Sequence, residues 1–137
     1  MDSFLGHLQI NIDQQQIGFY KEFFSFLNWK FIYEDENAIG VLDKNGSSVW
    51  FIPAMNEAKN DYDGVGMNHL AIGVASPAEV DQADAWLKEQ GIPALFETPR
   101  QRPDFSESDN EIYYQVMFES PDKVLLEVVY SGPKQVG

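Results

Sequence analysis

The chain has 137 residues, 44% of them hydrophobic, which is enough for one compact core. Its 22 acidic and nine basic residues give a net charge of −13, which argues against binding to nucleic acid or to anionic membranes. Cysteine is absent, so disulfides and a thiol nucleophile are excluded. We expect a cytoplasmic protein, because the first residues lack a basic segment followed by an apolar one and no segment approaches the ~20 apolar residues of a membrane span.

The first half of the chain predicts one strand, one helix and three further strands. A strand at about 6–12 leads through Asp13, a candidate N-cap, into a helix from Gln16 to Leu27 with a wide aromatic face. Three strands follow, at 30–33, 38–42 and 47–53. The Asn45-Gly46 pair between the last two is a strong hairpin signal.

The second half repeats this order after a polar stretch at 54–67, which we interpret as a linker. A strand at 68–74 precedes a helix that opens with the capping-box pattern Ser76 to Glu79 and ends at Gly91. Three strands are predicted after it, at about 94–97, 112–119 and 123–130. The long loop at 98–111 is therefore a candidate lid or ligand loop.

The two halves share a sequence pattern that contains both histidines of the chain. His7-Leu8-Gln9-Ile10 near the start of the first half corresponds to His69-Leu70-Ala71-Ile72 at the start of the second. Each histidine thus occupies the same place in what looks like a duplicated unit. If the halves pack about a pseudo-twofold axis, the two imidazoles can converge, which makes a metal site the leading hypothesis. The alternative is a pair of ordinary core or surface histidines.

This arrangement resembles the vicinal oxygen chelate superfamily of glyoxalases, bleomycin-resistance proteins, extradiol dioxygenases and fosfomycin-resistance enzymes. The segments that carry the resemblance are His7-Leu8-Gln9-Ile10, Phe19-Tyr20-Lys21-Glu22-Phe23, His69-Leu70-Ala71-Ile72, Tyr114-Gln115-Val116-Met117-Phe118-Glu119-Ser120-Pro121-Asp122 and Leu126-Glu127. The resemblance implies an α+β fold. Two βαβββ modules, at about 5–53 and 68–130, would form a curved, cup-shaped mixed sheet within a single domain.

The resemblance also implies a set of metal ligands, namely His7, His69 and Glu127. At the fourth family position this chain has Trp50, where glyoxalase I carries a carboxylate. Two imidazoles and one carboxylate leave coordination positions open and suit Fe, Mn, Ni or Zn. Strand alternation places Glu127 on an otherwise apolar face, where a carboxylate needs a partner such as a cation.

The function implied is that of a metal-dependent enzyme, an isomerase, lyase or transferase, acting on a small oxygen-rich molecule that can carry an anionic group. The alternative is a metal-free protein that binds or sequesters a small molecule, as bleomycin-resistance proteins do. Partners would be the small molecule and a second copy in a homodimer. We assign catalytic roles to Glu127 and Tyr113. The candidate substrate-binding residues are Arg100, Arg102, Trp50, Tyr114 and Gln115. Both arginines of the chain lie in the long loop, where they could clamp an anion or remain solvated surface charges.

Overall fold

The computed structural model describes residues 1–134. They divide into two compact units, Met1–Lys59 and a second that begins at Asn60. The first unit contains β1 (His7–Ile12), α1 (Ile17–Phe26), β2 (Lys30–Glu34), β3 (Ile39–Leu42) and β4 (Ser48–Pro53). The second unit contains β5 (Leu70–Gly73), α2 (Pro77–Gln90), β6 (Leu95–Gln101), β7 (Glu111–Glu119) and β8 (Leu125–Pro133). Both units therefore have the predicted βαβββ order.

Each unit forms its own four-stranded mixed sheet. The strand order is β1-β4-β3-β2 in the first unit and β5-β8-β7-β6 in the second. In each sheet the first strand runs parallel to the last strand of the unit, and the other pairs are antiparallel. The predicted α+β class is confirmed. No helix in residues 1–134 is both long and apolar enough to cross a membrane.

The aromatic face of α1 forms the core of the first unit. Tyr20 and Phe24 are fully buried, and their ring centroids lie 4.5 and 5.3 Å from that of Phe51 on β4. The helix begins one residue later than predicted because Gln14–Gln16 forms a 3₁₀ turn, which Asp13 caps by accepting a hydrogen bond from the Gln15 amide. The wide aromatic stripe is thus a packing surface.

The helix α2 covers the second sheet through Val80, Ala83 and Leu87, which are all buried. It ends at Gly91 in the left-handed conformation, φ 72°, as its sequence predicts. The predicted capping box, in which the Glu79 side chain would bond the Ser76 amide, is replaced by a bond to the amide one residue earlier. Glu79 accepts a hydrogen bond from the Ala75 amide at 2.7 Å, but the Ser76 side chain makes no cap hydrogen bond.

The prediction of a short strand at 94–97 followed by a 14-residue loop was wrong. β6 continues to Gln101, and its end pairs with β7 through Arg100 opposite Gln115. An irregularity after Leu95, with Phe96 and Glu97 at positive φ, interrupts the pairing and hides the strand pattern in the sequence. The connection is therefore shorter, and it contains a 3₁₀ turn at Pro103–Phe105.

Candidate functional site

A pocket of about 240 Å³ opens in the second unit. Its walls come from β6, β7, β8, the connection between β6 and β7, and the segment that precedes β5. The lining residues are Tyr62, Asp63, Asn68, His69, Phe96, Arg102, Phe105, Tyr113, Gln115, Met117, Leu125 and Glu127. Polar groups that converge in such a pocket make it the candidate site.

Glu127 is the buried charge of this pocket. It lies in the middle of β8, opposite Ala71 of β5 and Met117 of β7, and is only 1% exposed. Its Oε2 atom accepts hydrogen bonds from the Tyr113 hydroxyl, at 2.8 Å, and from the Gln115 side-chain amide. Its Oε1 atom is buried and has no hydrogen-bond partner among the described residues. Both donors therefore bind the same oxygen and leave Oε1 without a hydrogen bond from the described residues.

His69 faces the unpartnered oxygen. Its Nε2 atom lies 3.2 Å from Glu127 Oε1, and its Nδ1 atom lies 2.7 Å from Asn68 Oδ1. The Asn68 amide is oriented in turn, because its Nδ2 donates to the Tyr62 carbonyl at 2.9 Å. An amide oxygen can only accept, so Nδ1 of His69 carries the hydrogen. In the neutral ring, Nε2 then presents a lone pair to the carboxylate.

Two atoms that both present lone pairs at this distance repel unless a positive charge lies with them. Either His69 takes up a proton and pairs with Glu127, or a cation is shared between the two. Two ligands of one divalent ion at about 2.1 Å lie roughly 3.0 to 3.4 Å apart at tetrahedral or octahedral angles. The observed 3.2 Å fits this spacing. The Asn68 contact is also typical of metal-binding histidines, whose second nitrogen is usually held by an acceptor.

The two donors to Glu127 are themselves held in defined states. Burial, followed by the hydrogen bond to Glu127, raises the pKa of Tyr113 to about 12. The phenol is thus neutral at physiological pH and acts as a donor. Gln115 turns its Nε2 toward the carboxylate, which leaves its Oε1 buried and without a partner among the described residues.

The two arginines have different surroundings and different ion-pair partners in the structure. Arg102 lines the pocket, pairs with Asp104 at 3.0 Å and lies over the Phe105 ring at 4.2 Å from its centroid. Arg100 does not belong to this lining and pairs with Glu97 at 3.4 Å. Anion binding by the arginines stays a prediction, and Arg102 is the arginine that the structure places in the pocket lining.

The two neighbouring tyrosines of β7 also have different surroundings. Tyr113 points into the pocket, whereas the Tyr114 hydroxyl donates to Asp81 of α2 at 2.6 Å. Burial and the Asp81 contact raise the pKa of Tyr114 to about 12. A side chain that binds the helix does not serve the pocket, so its substrate-binding assignment does not fit this placement.

The first unit holds His7 and Trp50. His7 is exposed at the start of β1, and the residue two positions later, Gln9, pairs with Trp50 of β4. In the second unit the residue two positions after His69 pairs with Glu127. Trp50 is therefore the positional equivalent of Glu127, the position at which the family resemblance placed it. Among residues 1–134, no three His, Asp or Glu side chains are grouped so that they could hold a metal.

Sequence reasoning missed several residues of the pocket lining. Among them, Asn68 orients His69, Tyr62 orients Asn68, and Phe96 and Phe105 form walls. The repeat gave no signal for Asn68, because the first histidine follows Gly6. Phe105 lay within the predicted ligand loop, so that loop was the one available signal for a wall residue.

The sequence matches no protein-family model and no curated protein. Solved structures are similar to it over more than nine tenths of its length. A proposed glyoxalase from Bacillus halodurans is 25% identical with a TM-score of 0.74, over 92% of this chain and 94% of that chain. A glyoxalase/dioxygenase from Nostoc punctiforme is 16% identical with a TM-score of 0.72, over 96% and 92%. The fosfomycin resistance protein FosX from Listeria monocytogenes, complexed with Mn(II) and sulfate, is 18% identical with a TM-score of 0.66, over 98% and 93%.

Proposed function

Because the chain has the fold of the vicinal oxygen chelate superfamily, we propose that it is a metal-dependent enzyme acting on a small oxygen-rich molecule. His69 and Glu127 would hold a divalent transition metal such as Mn, Fe, Ni or Zn. The observation that carries the proposal is the buried, unpartnered Oε1 of Glu127 facing the bare Nε2 of His69 at 3.2 Å. The Mn(II) of the FosX structure supports metal use on this fold. The assignment of His7 as the third ligand rests only on the resemblance of the sequence to this superfamily.

A bound metal would supply Lewis-acid polarisation of substrate oxygens, as in isomerase, lyase or transferase chemistry. The chain's own residues prepare the site for it. Tyr113 and Gln115 fix the carboxylate through Oε2, so that Oε1 stays directed at His69. The neutral Tyr113 phenol is a donor rather than a base. Because Trp50 replaces the second carboxylate of glyoxalase I, we expect little turnover of the methylglyoxal–glutathione hemithioacetal.

Titration of the protein with Mn(II) and Zn(II), followed by calorimetry and elemental analysis, tests the proposal. We expect one ion per site, and loss of most bound metal in His69→Ala, Glu127→Gln and His7→Ala. Glu111→Gln is a matched control, because this carboxylate lies on β7 outside the pocket lining. Binding should weaken in acid, because protons compete with the metal for the imidazole and carboxylate ligands. Stoichiometric metal in the double variant His7→Ala/His69→Ala would contradict the assignment.

A metal-free binding protein is the second candidate function. It is favoured by the absence, among the described residues, of a three-ligand group, and by Trp50 at the position equivalent to Glu127. In that case a protonated His69 would pair with Glu127. Protein purified without chelators and found free of transition metals would support this candidate. A homodimer stays a prediction, which sedimentation velocity would test.

A further inference from the structure

We infer that the pocket of the second unit binds a hydroxy acid with an apolar or aromatic body. In this assignment Arg102 binds the carboxylate, Gln115 Oε1 accepts the hydroxyl group, and the aromatic walls hold the body. The inference rests on the proposed function in one respect, that this pocket is the substrate site. It adds the chemical class of the substrate.

The side-chain oxygen of Gln115 needs a hydrogen-bond donor. Its side chain is only 3% exposed and lines the pocket, and its amide orientation is fixed by the bond from Nε2 to Glu127. The Oε1 atom is a buried acceptor with no partner among the described residues. Buried acceptors in folded proteins are almost always satisfied. A ligand O–H group in the pocket would satisfy this one.

Arg102 supplies the positive charge. Its backbone amide donates to the Tyr113 carbonyl at 2.7 Å, which anchors the residue beside β7. Its guanidinium uses Nε and Nη2 for Asp104, and in the described part of the chain no hydrogen bond engages Nη1. A guanidinium matches the planar geometry of a carboxylate. In a chain of net charge −13, an anion needs such a local attraction.

The remaining walls are apolar and define the body of the ligand. Phe96 and Phe105 line the pocket although each is 51% exposed, and Met117 and Leu125 are buried beneath it. Half-exposed aromatic rings that line a pocket favour an apolar or aromatic occupant. A volume of about 240 Å³ lies below that of drug-sized sites, so the ligand is a small molecule.

Asp63 and Glu127 also line the pocket, and they raise the question of an amine ligand instead. An ammonium group cannot use Arg102, whereas a hydroxy acid uses both Arg102 and the Gln115 acceptor. The acid therefore accounts for more of the polar groups. The amine becomes an outcome of the test.

The test is isothermal calorimetry of the Mn(II)-loaded and the metal-free protein with 3-phenyllactate and four matched compounds. 3-Phenylpropanoate lacks the hydroxyl, 1-phenyl-2-propanol lacks the carboxylate, lactate lacks the ring, and 2-phenylethylamine carries the opposite charge. We expect 3-phenyllactate to bind most tightly. Losing the hydroxyl should weaken binding at least about fivefold, and losing the carboxylate about tenfold or more. No binding of 3-phenyllactate, or tighter binding of the alcohol or the amine, would overturn the inference.

Two variants connect the ranking to the residues. Arg102→Met should abolish the preference for the acid over the alcohol, whereas Arg100→Met, a matched change on β6 outside the pocket lining, should preserve it. Gln115→Met should remove the difference between 3-phenyllactate and 3-phenylpropanoate. The ratio is measured in the metal-free protein, so that an altered metal content of the variant does not affect it. An equal loss in the two arginine variants would refute the role of Arg102.

The metal-dependent enzyme and the hydroxy-acid ligand can be refuted independently of each other. Stoichiometric Mn(II) binding without the expected ranking would refute the hydroxy acid and leave the metal site. The expected ranking in a protein that binds no transition metal would refute the metal-dependent enzyme and support the binding-protein alternative, with the ligand class retained.

Discussion

The orientation of the His69 ring depends on the preceding residue, Asn68. Asn68 accepts from His69 Nδ1 and donates to the Tyr62 carbonyl, so the ring is held by a chain of two hydrogen bonds. A histidine that is held in this way loses less rotational freedom when it binds a ligand or metal. Asn68 is thus a positioning residue for the proposed ligand.

Asn68→Ala should weaken Mn(II) binding by roughly 10- to 100-fold, the usual effect of losing such a support. Asn68→Asp keeps an acceptor for Nδ1 and should restore much of the affinity. Asn60→Ala is the control, since Asn60 donates to the Lys123 carbonyl, at 2.7 Å, and does not support His69. Equal affinities in Asn68→Ala and the unaltered protein would show that the ring orientation does not matter for metal binding.

Tyr113 gives a prediction about stability and pH. Its pKa is raised from 10.0 to about 12, so the folded state favours the neutral phenol. The stabilisation by the neutral phenol is fully present below pH 10, and it is lost as pH rises through 10 to 12. The unfolding free energy should therefore fall over this range, and Tyr113→Phe should make the fall shallower.

Urea unfolding at a series of alkaline pH values measures this effect. Tyr114→Phe is the control, because the pKa of Tyr114 is also raised to about 12 but its partner is Asp81 outside the pocket. Both variants should flatten the alkaline fall, yet only Tyr113→Phe should change Mn(II) affinity. An unchanged alkaline slope in Tyr113→Phe would contradict the assigned cause.

At the level of the elements, β3 and β4 pack closely where Gly40 pairs with Trp50. A Cβ atom on Gly40 would lie 2.7 Å from the Trp50 ring, which covers the glycine. Trp50 also donates from its indole nitrogen to Ser48 at 3.0 Å. The side chain at position 50 is therefore set by packing within the first sheet.

Gly40→Ala should lower the unfolding free energy by about 1 to 3 kcal/mol, the usual cost of overpacking. In a Trp50→Ala background the same change should cost much less, because the ring that it meets is gone. Chemical denaturation of the two single variants and the double variant gives the coupling energy. Additive effects would mean that the ring moves aside without cost. Gly73→Ala on β5, where nothing lies within 4 Å of the added atom, is the matched control.

The elements also show what a sequence can predict. The bounds of α2 follow from local signals, Pro77 at the first turn and Gly91 at the end. The full length of β6 could not be predicted, since its end is defined by pairing of Arg100 with Gln115 on another strand. The same distinction holds in the pocket. Alternation along β8 indicated Glu127, whereas the role of Asn68 depends on the path of the preceding segment.

For the whole molecule, the proposed metal binding would be linked to folding. A ligand that binds only the folded state stabilises it, and at a hundredfold excess over Kd the gain is about 2.7 kcal/mol. Mn(II) should therefore raise Tm by several degrees in the unaltered protein and in Glu111→Gln, but not in His69→Ala. Differential scanning calorimetry checks this. A similar shift in His69→Ala would indicate metal binding elsewhere on this acidic chain.

Metal and acid should also bind cooperatively. Glu127 lies in the pocket that we assign to an anion, and a divalent ion would offset its negative charge. Mn(II) should therefore tighten the binding of 3-phenyllactate but not of 1-phenyl-2-propanol. By linkage, the acid should tighten Mn(II) binding by the same factor. Calorimetric titrations in both orders measure the factor twice, and a factor of one would mean that the metal and the acid bind independently of each other.

The equivalent register of Trp50 and Glu127 has a consequence for how relatives of this chain can vary. Position 50 is tied by packing to Gly40, and position 127 is tied by hydrogen bonds to Tyr113 and Gln115. Substitutions in related sequences should therefore covary within each of these sets and vary independently between them. A relative with a carboxylate at position 50 should be free to carry a larger residue at position 40. Selection would thus act on the two equivalent positions through different constraints, packing at position 50 and hydrogen bonding at position 127.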